Sequence, residues 1–329
     1  MAKGAGRKPI LWQGAMVTVL VALVPCFFAG IYFFGWRALA MVAVSGVAAF
    51  VAEWLFVRTR GKPVTSAVFV TSTLLALILP PSLPLWMVAV GAVFAIVFGK
   101  MAFGGFGRNV FNPAMVGRCF LYICFPVQMT SRFWGPISGA WAGFRAWSPS
   151  MDSVTSATPL GLWRDSPGEY AFSVSNLFLG EVPGSLGETA AIPILMGACL
   201  LLWKRVANWK MMASVGLGAF AFSGLGHYVL NAEAVPGLSF TFGSGGLLFA
   251  MVFMATDPVS ASKTEKGRWI TGLSIGMLAV LIRSYSSFAG GVMYAVLLVN
   301  MFTPTVDLLL KRPRKSREKP PGAEGGEKA

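Results

Sequence analysis

The chain has 329 residues, 55% of them hydrophobic and only 12% charged, with a mean hydropathy of +0.67. That composition lies outside the range of soluble domains and predicts an all-α integral membrane protein with no separable soluble unit. The formal charge of +14 does not mark a nucleic-acid binder, because the Lys and Arg sit between apolar runs rather than along one amphipathic face.

In chain order, residues 1–13 read as a basic cytoplasmic segment. They lack the n-region, short h-region and cleavage site of a leader, so the first apolar run is expected to be a retained span. Ten spans follow, at about 14–35, 38–57, 64–80, 84–99, 112–126, 189–203, 211–229, 240–256, 269–283 and 291–310. With the amino terminus in the cytoplasm, the loops holding Arg58, Arg60, Lys62, Lys100, Arg108, Lys204, Arg205, Lys210, Lys263, Lys266 and Arg268 share one side with both termini. That side then carries 21 of the 27 Lys and Arg, which favours this orientation and an even number of crossings. Arg37, Arg118, Arg132, Arg145, Arg164 and Arg283 remain. The interval 127–188 falls on the opposite, extracytoplasmic face, between a first half at about 14–126 and a second at about 189–310. Residues 311–329 are rich in charge, Pro and Gly and are expected to form a disordered tail.

The four cysteines, Cys26, Cys119, Cys124 and Cys199, form no Cys-x-x-Cys pair and lie in or beside apolar runs, which predicts buried, reduced thiols. With His227 as the single histidine, the chain lacks the paired ligands of a haem, zinc or iron–sulfur site. A redox cofactor, if the chain carries one, is then organic or held by another subunit.

The pattern Asn-x-Phe-x-Pro occurs at Asn109–Pro113 and at Asn300–Pro304. Each copy follows an apolar run that itself follows a Pro-interrupted segment, Leu79-Pro80-Pro81-Ser82 or Thr256-Asp257-Pro258. Five spans per half predicts two inverted five-helix repeats with broken helices around a cavity, as in many transporters. Proline frees a carbonyl inside such a run, which is tolerated only where the backbone is buried or lines that cavity.

The longest polar interval contains DSVTSATPL, Asp152–Leu160. Local chemistry reads Thr158 as a hydroxyl N-cap with Pro159 at the first helical position, and Asp152, Ser153, Thr155 and Ser156 as solvated loop residues. Glu53, Asp257 and Asp307 lie in or at the ends of apolar runs, where carboxylates are costly unless paired, hydrated or functional. Each reads either as a helix-end residue near cytoplasmic cations or as part of an ion path. His227 reads as an interfacial residue ahead of a proton relay, and Trp134, Trp141 and Trp147 as interfacial anchors or loop packing.

Longer blocks carry more information: GKMAFGGFGRNVFNPAMVGR at 99–118, FPVQMTS at 125–131, GSLGET at 184–189 and ATDPVSA at 255–261. From about residue 10 to 310 the chain resembles the family of the D subunit of the Rnf electron-transport complex and the homologous B subunit of the sodium-translocating NADH:quinone reductase. The resemblance implies a fold similar to urea and ammonium channels. It also implies FMN carried through a phosphoester on the threonine of an Asp-x-x-Ser/Thr-x-Ala-Thr motif, attached by a flavin transferase. Asp152, Thr155, Ala157 and Thr158 match that motif, with Ser156 where glycine is common, so Thr158 is the implied acceptor. A phosphate there would meet the unpaired N–H groups of a helix start. The resemblance further implies a role in cation movement for acids at positions like Glu53 and Asp307, and a non-covalent riboflavin in the reductase relative; Asp257 stands beside them as an ion-path candidate from its place at the end of an apolar run. Its partners would be iron–sulfur membrane subunits, a second covalent-FMN subunit and an NADH- or ferredoxin-side module in a bacterial inner membrane. Arg118 and Arg283 could pair with a carboxylate or contact the flavin, although a snorkelling arginine is the simpler reading. Three functions stand: an electron-transferring subunit of the Rnf D type, the B-type subunit of the reductase, and a channel or solute transporter without redox chemistry.

Overall fold

The computed structural model describes residues 10–130, 133–139, 141–149, 157–166, 172–286 and 290–311. Each of the ten apolar intervals holds helix. In the first half these are α1 (Gly14–Phe34), α2 (Arg37–Thr59), α3 (Ala67–Leu77), α4 (Leu85–Ile96) and α5 (Pro113–Cys124). Short helices α6 (Pro126–Thr130), α7 (Pro159–Asp165) and α8 (Val174–Leu179) follow. The second half comprises α9 (Ala191–Trp203), α10 (Trp209–Gly224), α11 (Leu238–Gly243), α12 (Leu247–Phe249), α13 (Glu265–Tyr285) and α14 (Gly291–Leu310). Helices α4, α10 and α12 each run on into a π-turn, Val97–Met101, Leu225–Val229 and Ala250–Met254.

By length and composition, α1, α2 and α14 are long and apolar enough to cross a membrane, close to the roughly 20 residues that a hydrocarbon core needs. Helices α3 and α5, at 11 and 12 residues, fall short of that length. One departure from an all-helical chain is a parallel two-strand ladder pairing β1 (Ile10–Leu11) with β2 (Val64–Thr65). Extended chain enters α1 and α3 side by side here, and the Gln13 N–H donates to the Ser66 hydroxyl at 3.0 Å.

The breaks after α3 show how freed backbone is satisfied. Pro80 and Pro81 cannot continue the helix. The carbonyls of Leu77 and Leu79 accept from the N–H groups of Gly187 and Leu186 at 2.7 and 3.2 Å. Arg37 donates from Nε to the Pro81 carbonyl at 2.9 Å and from Nη2 to that of Leu83 at 3.0 Å, with its guanidinium 5.4 Å from the Trp134 ring centroid. One cation thus caps the broken end, answering the rule that backbone polar groups in an apolar medium find partners within the protein.

The two Asn-x-Phe-x-Pro copies occupy different structures. Asn112 is the N-cap of α5, accepting from Ala114 N and Met115 N at 3.0 and 3.4 Å, with Pro113 at the first helical position. Pro304 instead lies inside α14 and Asn300 is buried there. A proline at a helix start costs nothing, whereas one in the interior removes a hydrogen bond, so the shared letters do not mark equivalent positions. The packing order is the closer parallel between the halves: α2 packs on α3 and α4 and α4 on α5, while α10 packs on α13 and α13 on α14. Contacts of α1 with α9 and of α5 with α14 join them.

Candidate functional site

Thr158 is the N-cap of α7, in extended backbone at φ −64° and ψ 156°, and its Oγ1 accepts from Gly161 N at 3.2 Å. The capped helix start predicted by Thr158-Pro159 is therefore present. Helix α7 is held by a small core of its own, in which Leu160 and Trp163 are buried with Leu177, Val182 and Phe240. The Trp163 and Phe240 rings lie 5.4 Å apart, and Trp163 Nε1 donates to the Ala234 carbonyl at 3.3 Å. This anchoring leaves Thr158 half-buried and Ala157 exposed. Asp152, Thr155 and Ser156 lie outside the described residues.

Thr158 lines a cleft together with Arg118, Tyr122, Glu188 and the turn Ser244-Gly245-Gly246. These residues come from α5, from the segment before α9 and from the end of α11, so the cleft forms only when the two halves pack. Arg118 Nη1 donates to Glu188 Oε1 at 2.7 Å, with both side chains mostly buried. Arg283, on the last turn of α13, is 5% exposed. Its Nη1 donates to the carbonyls of Thr241 and Ser244 at 3.4 and 3.3 Å, and its Nη2 to that of Gly245. Those carbonyls close α11, whose final groups lack intrahelical partners. Neither arginine snorkels. Arg118 is paired 70 residues away in sequence and Arg283 glues a helix end, because the bundle supplies partners nearer than the interface. A guanidinium inside an apolar run was the available signal; its partners were not visible.

The three acids do not form one cluster. Glu53 is 1% exposed and not a helix-end residue among loop cations. Its Oε2 accepts from Lys100 Nζ at 2.6 Å, and its Oε1 accepts from the Thr65 N–H and hydroxyl at 3.0 and 2.8 Å. Lys100 is not the cytoplasmic loop residue that the charge pattern predicts. It is 2% exposed because the π-turn at Val97–Met101 carries it inside, where its Nζ also donates to Thr65 Oγ1 at 2.8 Å. Asp307 accepts from the Ser262 and Thr264 hydroxyls at 2.5 and 2.8 Å and from the Lys263 and Thr264 N–H groups, which ties the entrance of α13 to α14. Asp257 accepts from the Ser260 hydroxyl at 2.6 Å and from two backbone N–H groups just past its own proline break. A second cleft is lined by Asp257, Lys100, Asn109, Asn112 and Thr256 amid apolar side chains.

Among the described residues, no three His, Cys, Asp or Glu could hold a metal ion. Cys26 is buried, but Cys124 and Cys199 are exposed, contrary to the expected burial, since both lie on outward helix faces. His227 sits in the π-turn after α10 with Nδ1 2.8 Å from the Val235 carbonyl. Trp141 packs under Arg145 at 5.6 Å, in keeping with loop packing.

Apolar helices, three of them long enough to cross a membrane, with proline-broken ends and a threonine-bearing cleft between packed halves, define a polytopic membrane protein. The chain belongs to the NQR2, RnfD, RnfE family, whose model matches residues 6–315. It is 39% identical over 283 residues to the B subunit of the Na(+)-translocating NADH-quinone reductase of Klebsiella pneumoniae (strain 342), covering 82% of this chain and 65% of that relative. The proteins of the same name from Pseudomonas aeruginosa (strain LESB58) and Haemophilus influenzae (strain PittEE) are 41% and 38% identical, each covering 78% of this chain and 62% of their own length. The chain thus spans just under two thirds of the length of the curated relatives it matches.

Proposed function

We propose that the chain is the electron-transferring membrane subunit of an ion-translocating complex in the bacterial inner membrane, with FMN on Thr158 as its redox group. The observation that carries this reading is the position of Thr158, a capped and anchored hydroxyl on the wall of a cleft that also contains Arg118. The residues present fit the group. The Nε atoms of Arg118 and Arg283 are buried without partners, and the consecutive glycines at Gly245 and Gly246 leave the wall without side chains. When bound, a flavin supplies one-electron acceptance and donation. Thr158 would hold the phosphoester. Pro159 and the anchored Trp163 fix its direction, Arg118 supplies positive charge, and Tyr122 and Leu160 provide apolar wall that limits water.

The names of the matched relatives favour the B-type subunit of a sodium-translocating NADH-quinone reductase. The Rnf D type shares the same threonine and remains the second reading; neighbouring genes decide between a fused FAD and NADH module and a cluster-rich, ferredoxin-like subunit. In either case the partners are iron–sulfur membrane subunits, a second covalent-FMN subunit and a flavin transferase. We assign ten spans in two inverted repeats, with both termini cytoplasmic and Thr158 extracytoplasmic. A cation path would use the second cleft with Asp257, and Glu53 after release from Lys100, while Asp307 acts by holding the loop that borders it. The second cleft, with its asparagine amides and apolar walls, is also the place for a non-covalent riboflavin.

Absorption and fluorescence of the purified subunit, expressed with its transferase and then denatured in a gel, test the flavin reading. A yellow, fluorescent chain band that Thr158→Val abolishes supports it. A colourless protein that conducts a solute in liposomes instead favours a channel.

A further inference from the structure

Among the described residues, the cleft beside Thr158 and the turn that borders it hold an imbalance of buried charge. Arg118 brings one guanidinium to the cleft wall and Arg283 a second behind the Gly245 turn; Glu188 is the carboxylate within electrostatic reach of both, 9% exposed at its side chain and bonded to Arg118 at 2.7 Å. Among the described residues Arg283 donates to backbone carbonyls, which satisfy hydrogen bonds but cancel no charge. The trio thus keeps one net positive charge, and each guanidinium retains a buried Nε without a partner. An uncompensated cation in an apolar bundle is costly.

The turn between the charges is cut to fit them. Gly245 and Gly246 have φ of +62° and +70°, a region that favours glycine. A Cβ on Gly245 would lie 3.2 Å from Arg283 Nη2, and one on Gly246 would lie 2.5 Å from the Glu188 carboxyl. Two successive residues thus touch the guanidinium and the carboxylate in turn, on the same wall that Thr158 lines.

We infer that Arg118, Glu188 and Arg283 form a seat for one monovalent anion, occupied by the phosphodiester that joins the flavin to Thr158. A phosphodiester carries a single negative charge at neutral pH, which equals the excess of the trio. Arg118 is the group that meets it, because one end of its guanidinium is fixed by Glu188 while its buried Nε is left without a partner; charge-assisted bonds from arginine to phosphate are the strong kind. Glu188 is a positioning residue that holds the guanidinium, and Arg283 fixes the glycine turn. This inference rests on the flavin reading above.

The test compares thermal unfolding midpoints of the full chain in detergent, with and without co-expressed flavin transferase, for wild type, Arg118→Gln and Arg118→Lys. Flavin loading is expected to raise the wild-type midpoint by several degrees, to raise that of Arg118→Gln by less than half as much, and to recover most of the effect in Arg118→Lys. Equal shifts in wild type and Arg118→Gln would overturn the seat. Should Arg118→Gln fail to fold, Arg118→Gln/Glu188→Gln removes both partners of the pair and leaves no lone charge; the same comparison then applies. A wild-type chain that carries no flavin at Thr158 refutes the flavin reading itself, and mass analysis of the same samples separates that outcome.

Discussion

Lys100 and Glu53 show what a single buried charge demands. Their side chains are 2% and 1% exposed and 2.6 Å apart, so removing one strands the other in an apolar interior. Lys100→Met is expected to cost about 3–5 kcal/mol of stability, whereas Glu53→Gln/Lys100→Met should recover most of it. Unfolding midpoints of the two variants check this, and equal losses would show that the pair is not coupled. Thr158 was legible at this scale from its own neighbours, since a hydroxyl followed by proline dictates a cap wherever a helix follows. The roles of Arg37, Arg118 and Lys100 were not, because their partners lie 35 to 70 residues away in sequence and no local pattern names them.

At the scale of elements, α10 and α13 meet through small residues. A Cβ on Gly276 would run into the Val215 carbonyl, and one on Gly218 into that of Leu273. In a lipid environment such close approach is a main source of helix association. Gly276→Leu should therefore separate the pair and cost about 3 kcal/mol or more, while Gly224→Ala, with nothing within 4 Å of the added carbon, should be tolerated. The yield of monodisperse protein in detergent after each change measures the difference. Apolar runs and prolines predicted where helices fall and where they break, because both effects are local. The two Asn-x-Phe-x-Pro copies do not mark equivalent positions, since the same pattern starts α5 and lies within α14. What precedes each copy decides whether proline is a first residue or an interior one.

For the whole molecule, the distribution of Lys and Arg predicts cytoplasmic termini and an outside interval at 127–188. A fluorescent protein fused at the carboxyl terminus should fold and fluoresce, and alkaline phosphatase fused within residues 133–139 should be active; the reverse pattern would invert the topology. The interval proves to contain α6, α7 and α8 rather than plain loop, and the small core of Leu160, Trp163 and Phe240 is what aims Thr158 into the cleft. The proposed function depends on this threonine carrying the flavin. Mass spectrometry of proteolytic peptides from the chain co-expressed with its transferase tests it most directly. The peptide containing Thr158 should gain the mass of one FMN less one water, and Thr158→Val should lose it. An unmodified Thr158 peptide in transferase-competent cells, or flavin on another residue, would contradict it.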